Sequence, residues 1–72
     1  MSTLIYSKEY KDITQKLLKA RKDSGLKQVE VASKLGKPQS YISKIEKRER
    51  RIDILELKIL AKIYNKNITY FI

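Results

Sequence analysis

The sequence contains no cysteine, no histidine and no tryptophan, with only two glycines and one proline. Without cysteine there is neither a disulfide framework nor a thiolate metal site, so any metal or nucleophilic chemistry would rest on carboxylates, hydroxyls or amines. No carboxylates pair at a recognisable spacing, and nothing outlines an assembled active site, which argues against an enzyme. No apolar run approaches membrane-spanning length, and the N-terminus lacks the apolar core of a secretion signal. A basic amphipathic membrane binder is also poorly supported, because the apolar stripes match one another as interlocking helices and carry no tryptophan. The expectation is a cytoplasmic protein with no cofactor, no metal and no membrane partner.

What is present is charge of one sign. The 72 residues hold 17 Lys and Arg against 8 Asp and Glu, a formal charge of +9, which favours polyanions through attraction and counterion release. Between Lys37 and Arg51 six basic residues face two acidic ones, and between Lys8 and Lys27 seven face three. The second set lies on an amphipathic stretch, where lysines usually serve solubility. A hydrophobic content of 42% supports a globular fold, and the length fits a single small domain, 1–72, with a modest core.

The stretch 28–47, QVEVASKLGKPQSYISKIEK, describes two short helices joined by a tight turn. Val31, Ala32 and Leu35 share one face of the first. Gly36 then suits a left-handed helix closure, and Pro38 suits the start of a new helix, where its missing N–H costs nothing. In the second helix Ile42 and Ile45 are the aliphatic positions, so Gln39, Ser40, Ser43, Lys44 and Lys47 point outward. Amides and ammonium groups can match the donors and acceptors on base edges in the major groove, and a short helix fits that groove. The alternative is a helical hairpin with a solvated polar face.

This block resembles the helix-turn-helix of the Cro and phage-repressor-like (XRE-type) family. Gln28 opens the first helix, Ala32 stands where that family needs a small residue, Gly36 stands at the turn, and Gln39 and Ser40 begin the reading helix. Ile42, Ile45 and Glu46 complete an ISKIE segment typical of these proteins, and the likeness runs back to Arg21 and on through RRIDILELKILAKIY. Two departures are visible: Lys27 and Pro38 occupy places where the family usually puts a capping Ser or Thr. The resemblance implies an all-α fold, a compact bundle of about five short helices with a central helix-turn-helix, as in lambda-repressor-like DNA-binding domains. It also implies an ion pair between Arg21 and Glu46 that ties the first helix to the reading helix, with Arg21 on phosphate as the other possibility. Gln28 would hold a phosphate and brace Gln39. Further backbone contacts would come from Lys37, Tyr41, Lys47, Arg48 and Arg51.

Residues 1–6 show no helical period, and Leu4, Ile5 and Tyr6 fit either an extended arm or a packed segment. Ser7 predicts the cap of a helix running to about Ser24, with Tyr10, Ile13, Leu17 and Ala20 inward; Gly25 ends it and Leu26 plugs the core. After the reading helix, KRERRI reads as a basic loop able to clamp the sugar-phosphate backbone with Lys47, Arg48, Arg50 and Arg51. Asp53 predicts the cap of another helix, with Leu57, Leu60, Ala61 and Tyr64 inward. Ile54, Leu55, Ile59 and Ile63 leave a second apolar surface, and the chain finishes on ITYFI. The C-terminal region, 53–72, is therefore expected to form a two-fold dimer through Leu55, Ile59, Ile63, Ile68, Tyr70, Phe71 and Ile72. The alternative is that these side chains complete one core.

The function expected is sequence-specific binding of double-stranded DNA at a palindromic operator by a homodimeric repressor or autoregulator. Gln39, Ser40, Ser43 and Lys44 would face the bases. The resemblance supplies the regulatory role; charge and helix pattern supply only DNA binding. Within the same fold an antitoxin, with a toxin as partner, or a restriction-modification controller remains open. From a different class, a protein- or RNA-binding adaptor would use the fold as scaffold.

Overall fold

Helix follows helix through residues 7–72, the part of the chain described by this computed structural model. Residues 1–6, and with them the choice between arm and packed segment, lie outside the described residues. The described chain is all-helical: α1 (Lys8–Asp23), α2 (Gln28–Leu35), α3 (Gln39–Glu46), α4 (Ile54–Ile63) and a 3₁₀ turn at Ile68–Tyr70. The last of the five expected helices is thus a single turn, opened by the Asn67 side chain, whose oxygen accepts the Thr69 N–H at 3.0 Å. Among the described residues no helix is long and apolar enough to cross a membrane.

The helix starts follow from local chemistry. The Ser7 hydroxyl accepts the Tyr10 N–H at 3.1 Å and caps α1. Asp53 and Glu56 form a reciprocal box at the head of α4: the Asp53 carboxylate accepts the Glu56 N–H at 2.8 Å, and Glu56 accepts the Asp53 N–H at 3.1 Å. At α2 the lysine ammonium has no acceptor to offer, so only half of such a box exists, with Glu30 accepting the Lys27 N–H at 2.7 Å. Pro38 sits at the cap of α3, one place before the first turn, with φ −71° and ψ 157° and no side-chain hydrogen bond.

All four helices end in the same way. In each, an N–H reaches back five residues: Leu26 to Arg21 O, Lys37 to Ala32 O, Glu49 to Lys44 O and Lys66 to Ala61 O. Each closure needs a left-handed residue just before that N–H, and the four are Gly25, Gly36, Arg48 and Asn65, at φ between 58° and 72°. Glycine takes this conformation freely and asparagine tolerates it. An arginine there is the exception.

Leu17, Ala20, Val31, Ala32, Ile42, Ile45, Leu57, Leu60, Ala61 and Tyr64 form the core, so every helix contributes the face its periodicity predicts. Thr14 joins them, its hydroxyl satisfied by donating to Lys11 O at 2.9 Å, while Tyr10 and Ile13 stay at the rim. Phe71 corrects an expectation. Only 2% exposed, it is among the largest fully buried side chains and fills the core rather than offering itself to a partner. Ile63, Ile68 and Tyr70 are half-buried against the same cluster. The C-terminal segment thus supplies part of the limited core that a small domain can build. Among the described residues the large apolar side chains left facing outward are Ile54, Leu55, Ile59 and Ile72, together with Val29 on α2.

Phe71→Ala should therefore lower stability by about 3–5 kcal/mol whatever the protein concentration, whereas Leu55→Ala in dilute, monomeric protein should stay within about 0.5 kcal/mol of the parent. Urea unfolding at two protein concentrations measures both.

Candidate nucleic-acid interface

Close packing of α2 on α3 sets one face of α3 inward, on Ile42 and Ile45, and turns the other out. Gln39, Ser40 and Lys44 are exposed on that outer face, and Ser43 is half-exposed beside them. Lys37 and Lys47 flank the helix in the open, as does Arg51 farther along the chain, while Gln28 and Arg48 are half-buried. These side chains present amide, hydroxyl, ammonium and guanidinium groups, a surface of hydrogen-bond donors with positive charge at its edges.

Tyr41 is not part of that surface. It is 6% exposed, inside the core, because at this point of α3 the helix turns its side toward the following loop. Lys37 Nζ lies 5.4 Å from its ring centroid and the Arg50 guanidinium carbon 4.7 Å. Burial, with the Glu56 carboxylate nearby, pushes its phenol far above the ordinary tyrosine pKa. A buried ring between cations cannot reach a phosphate, so its expected role as a backbone contact is withdrawn.

A chain of hydrogen bonds runs from the protein interior to the outer face. Arg21 on α1 meets Glu46 on α3 with two parallel bonds, Nε to Oε2 at 2.7 Å and Nη2 to Oε1 at 3.1 Å, and its Nη1 donates to Leu26 O at 3.0 Å. The side chains of the pair are 13% and 7% exposed. The hydrogen bond Arg21 donates to Glu46, ahead of the opposing effect of burial, raises the Arg21 pKa, so the guanidinium stays charged at any working pH. Glu46 Oε1 also accepts from Gln28 Nε2 at 2.8 Å, and Gln28 Oε1 accepts from Gln39 Nε2 at 3.2 Å. Arg21 is thus spent on Glu46 and a carbonyl, and is not free for phosphate. The charge pair fixes Gln28, and Gln28 fixes the first residue of α3. That leaves Gln39 with its carbonyl oxygen and one N–H unspent, both at the exposed end of the helix.

A family model described as helix-turn-helix matches residues 17–71. The chain belongs to the Cro/phage-repressor-like helix-turn-helix family. No curated protein and no solved structure matches it closely enough to be set beside it. As a member of this family the protein is a DNA-binding helix-turn-helix regulator of transcription.

For a helix-turn-helix protein, two features beyond its motif matter. Arg48, at φ 61°, ends α3 where the other helices use glycine or asparagine, and it does so at the edge of the outer face. A left-handed backbone under a large side chain costs about 1–2 kcal/mol, a cost that persists mainly at functional sites. The loop after it is also pinned across the fold, because Tyr10 Oη donates to Arg50 O at 2.6 Å. No periodicity could have announced a bond between residues 40 positions apart. Nor did KRER, which contains no glycine, signal a left-handed closure.

Replacing Arg48 with Gly should raise stability by about 1 kcal/mol, since the closure is kept and the strain removed. Thermal unfolding would show a higher midpoint; a lower one would mean that the side chain supports the fold.

Proposed function

We propose that the protein acts as a homodimeric repressor or autoregulator, placing α3 in the major groove of a palindromic DNA site. The observation that carries this reading is the bond chain from Arg21 through Glu46 and Gln28 to Gln39. It holds one amide in place before DNA arrives, and preorganised side chains lose less freedom on binding. The free carbonyl and N–H of Gln39 match the N6 donor and N7 acceptor of adenine. Ser40, Ser43 and Lys44, on the same face, address neighbouring base edges. Gln28, Lys37, Lys47, Arg48 and Arg51 supply phosphate contacts, which position the protein without reading sequence.

Leu55 and Ile59, one helical turn apart on α4, with Ile54 and Ile72, are 47–70% exposed. Such side chains favour a two-fold contact between α4 helices, which would set two reading helices about 34–36 Å apart on one side of the duplex. With Phe71 in the core, the contact rests on Leu55, Ile59 and Ile72, and Ile63, Ile68 and Tyr70 serve it only from the edge.

Gln39→Ala should relax discrimination at one base step by about 1–3 kcal/mol, while Arg51→Ala should weaken all duplexes alike and flatten the salt dependence. Selection of duplexes from a random pool, followed by titration of both variants, measures this; equal uniform losses would contradict the roles. Leu55→Asp should shift sedimentation to a monomer and weaken binding to a two-half-site duplex far more than to one half-site. A parent protein that is monomeric when bound tightly to the full site would remove the dimer.

A further inference from the structure

Arg50 was read from sequence as one of the phosphate-clamping residues of the KRERRI loop, but its contacts run inward to three helices. Its backbone carbonyl accepts the Tyr10 hydroxyl of α1 at 2.6 Å. Its guanidinium lies 4.7 Å from the ring centroid of Tyr41 on α3, and its Nη2 stands 3.6 Å from Glu56 Oε2 on α4. Glu56 is shared: Oε1 accepts the Asp53 N–H to close the α4 cap, which leaves Oε2 for Arg50. An open groove of about 840 Å³ lies beside the loop, lined by Tyr10, Ile13, Lys44, Ile52 and Glu56, and Ile52 is the loop's own apolar contact with the core.

We infer that the Arg50 side chain is a positioning group for DNA binding: beside the backbone tie of the same residue to α1, it staples the loop after the reading helix to α3 and α4, and so presents Arg48 and Arg51 to the strands. This rests on the reading that the loop faces phosphates. The guanidinium stacks on the buried Tyr41 ring and pairs with Glu56 while its side chain stays 43% exposed, and moving it to a phosphate would take the cation from Glu56 and leave the ring with Lys37 alone. Tyr10, at the α1 end of the backbone tie, lies outside the family match, which begins at residue 17.

Counterion release separates a positioning arginine from a contacting one, since each neutralised phosphate adds about 0.9 to the slope of log affinity against log salt. The probe is a short mixed-sequence duplex titrated at several salt concentrations with the parent protein, Arg50→Ala, Arg51→Ala and Glu56→Gln. Arg50→Ala should lower affinity several-fold with the slope unchanged, whereas Arg51→Ala should lose about one unit of slope. Glu56→Gln keeps an oxygen for the α4 cap but removes the charge that holds Arg50. It should weaken binding although it makes the protein more positive.

A slope loss in Arg50→Ala equal to that in Arg51→Ala, or tighter binding by Glu56→Gln, would overturn the inference. Amide hydrogen exchange in the free protein tests the staple without DNA. Arg48 and Glu49 N–H groups should exchange faster in Arg50→Ala and Glu56→Gln but not in Arg51→Ala, and unchanged exchange in the first two would also overturn it. If Arg51→Ala leaves the slope intact while exchange behaves as expected, the loop is stapled but does not meet phosphates, and it is the underlying reading that fails.

Discussion

The ion pair between Arg21 and Glu46 is the contact on which the binding face depends. It is bidentate and nearly enclosed, and it links α1 to the last residue of α3. A buried pair of this kind adds little net stability over apolar side chains of equal size, but losing one partner strands the other charge at a cost of about 3–5 kcal/mol. Its value is orientation. Because Glu46 also accepts from Gln28, the pair that sets the angle of α3 also sets the amide that holds Gln39. One carboxylate thus touches both the residue that ties α3 to α1 and the amide that holds the first side chain of α3.

Around that pair the rest of the fold trades stability for placement. Three helix ends take the left-handed closure on residues that accept it easily, and the fourth, at the end of the reading helix, takes it on Arg48. The strain lies at the residue proposed to meet a phosphate. Glu56 likewise serves twice, as half of a helix cap and as the partner of Arg50, so the start of α4 and the shape of the basic loop are coupled. The exposed aliphatic residues of α4 lie outside this network, so the dimer contact proposed for them would not disturb it.

Much of this was legible in the sequence. Helical spacing placed Val31, Ala32, Ile42, Ile45, Leu57 and Leu60 inside, and it turned Gln39, Ser40 and Lys44 out, because 3.6-residue periodicity is a local property. Gly25 and Gly36 marked their turns for an equally local reason. What stayed hidden depends on distant partners. Tyr41 was expected on the DNA backbone from family likeness, yet it is buried, with the Arg50 guanidinium and the Glu56 carboxylate beside it. Phe71 was assigned to a partner with the core as the alternative, and spacing in so short a segment could not choose between them. Thr14 is buried because its hydroxyl finds a carbonyl within its own helix, which spacing alone counts as polar and therefore outward. The Arg21–Glu46 pair came from family likeness, since residues 25 apart carry no periodic signal.

Whether Gln39 is held through Gln28, as the bond chain requires, is tested most directly by a double-mutant cycle. Gln28→Ala, Gln39→Ala and the double variant would be titrated against a selected duplex and its single-base-pair change at the step facing Gln39. If Gln28 acts by positioning Gln39, each single variant loses much of the discrimination and the double variant loses little more than Gln39→Ala alone. Losses that simply add, or a Gln28→Ala variant that discriminates as well as the parent, would contradict the account.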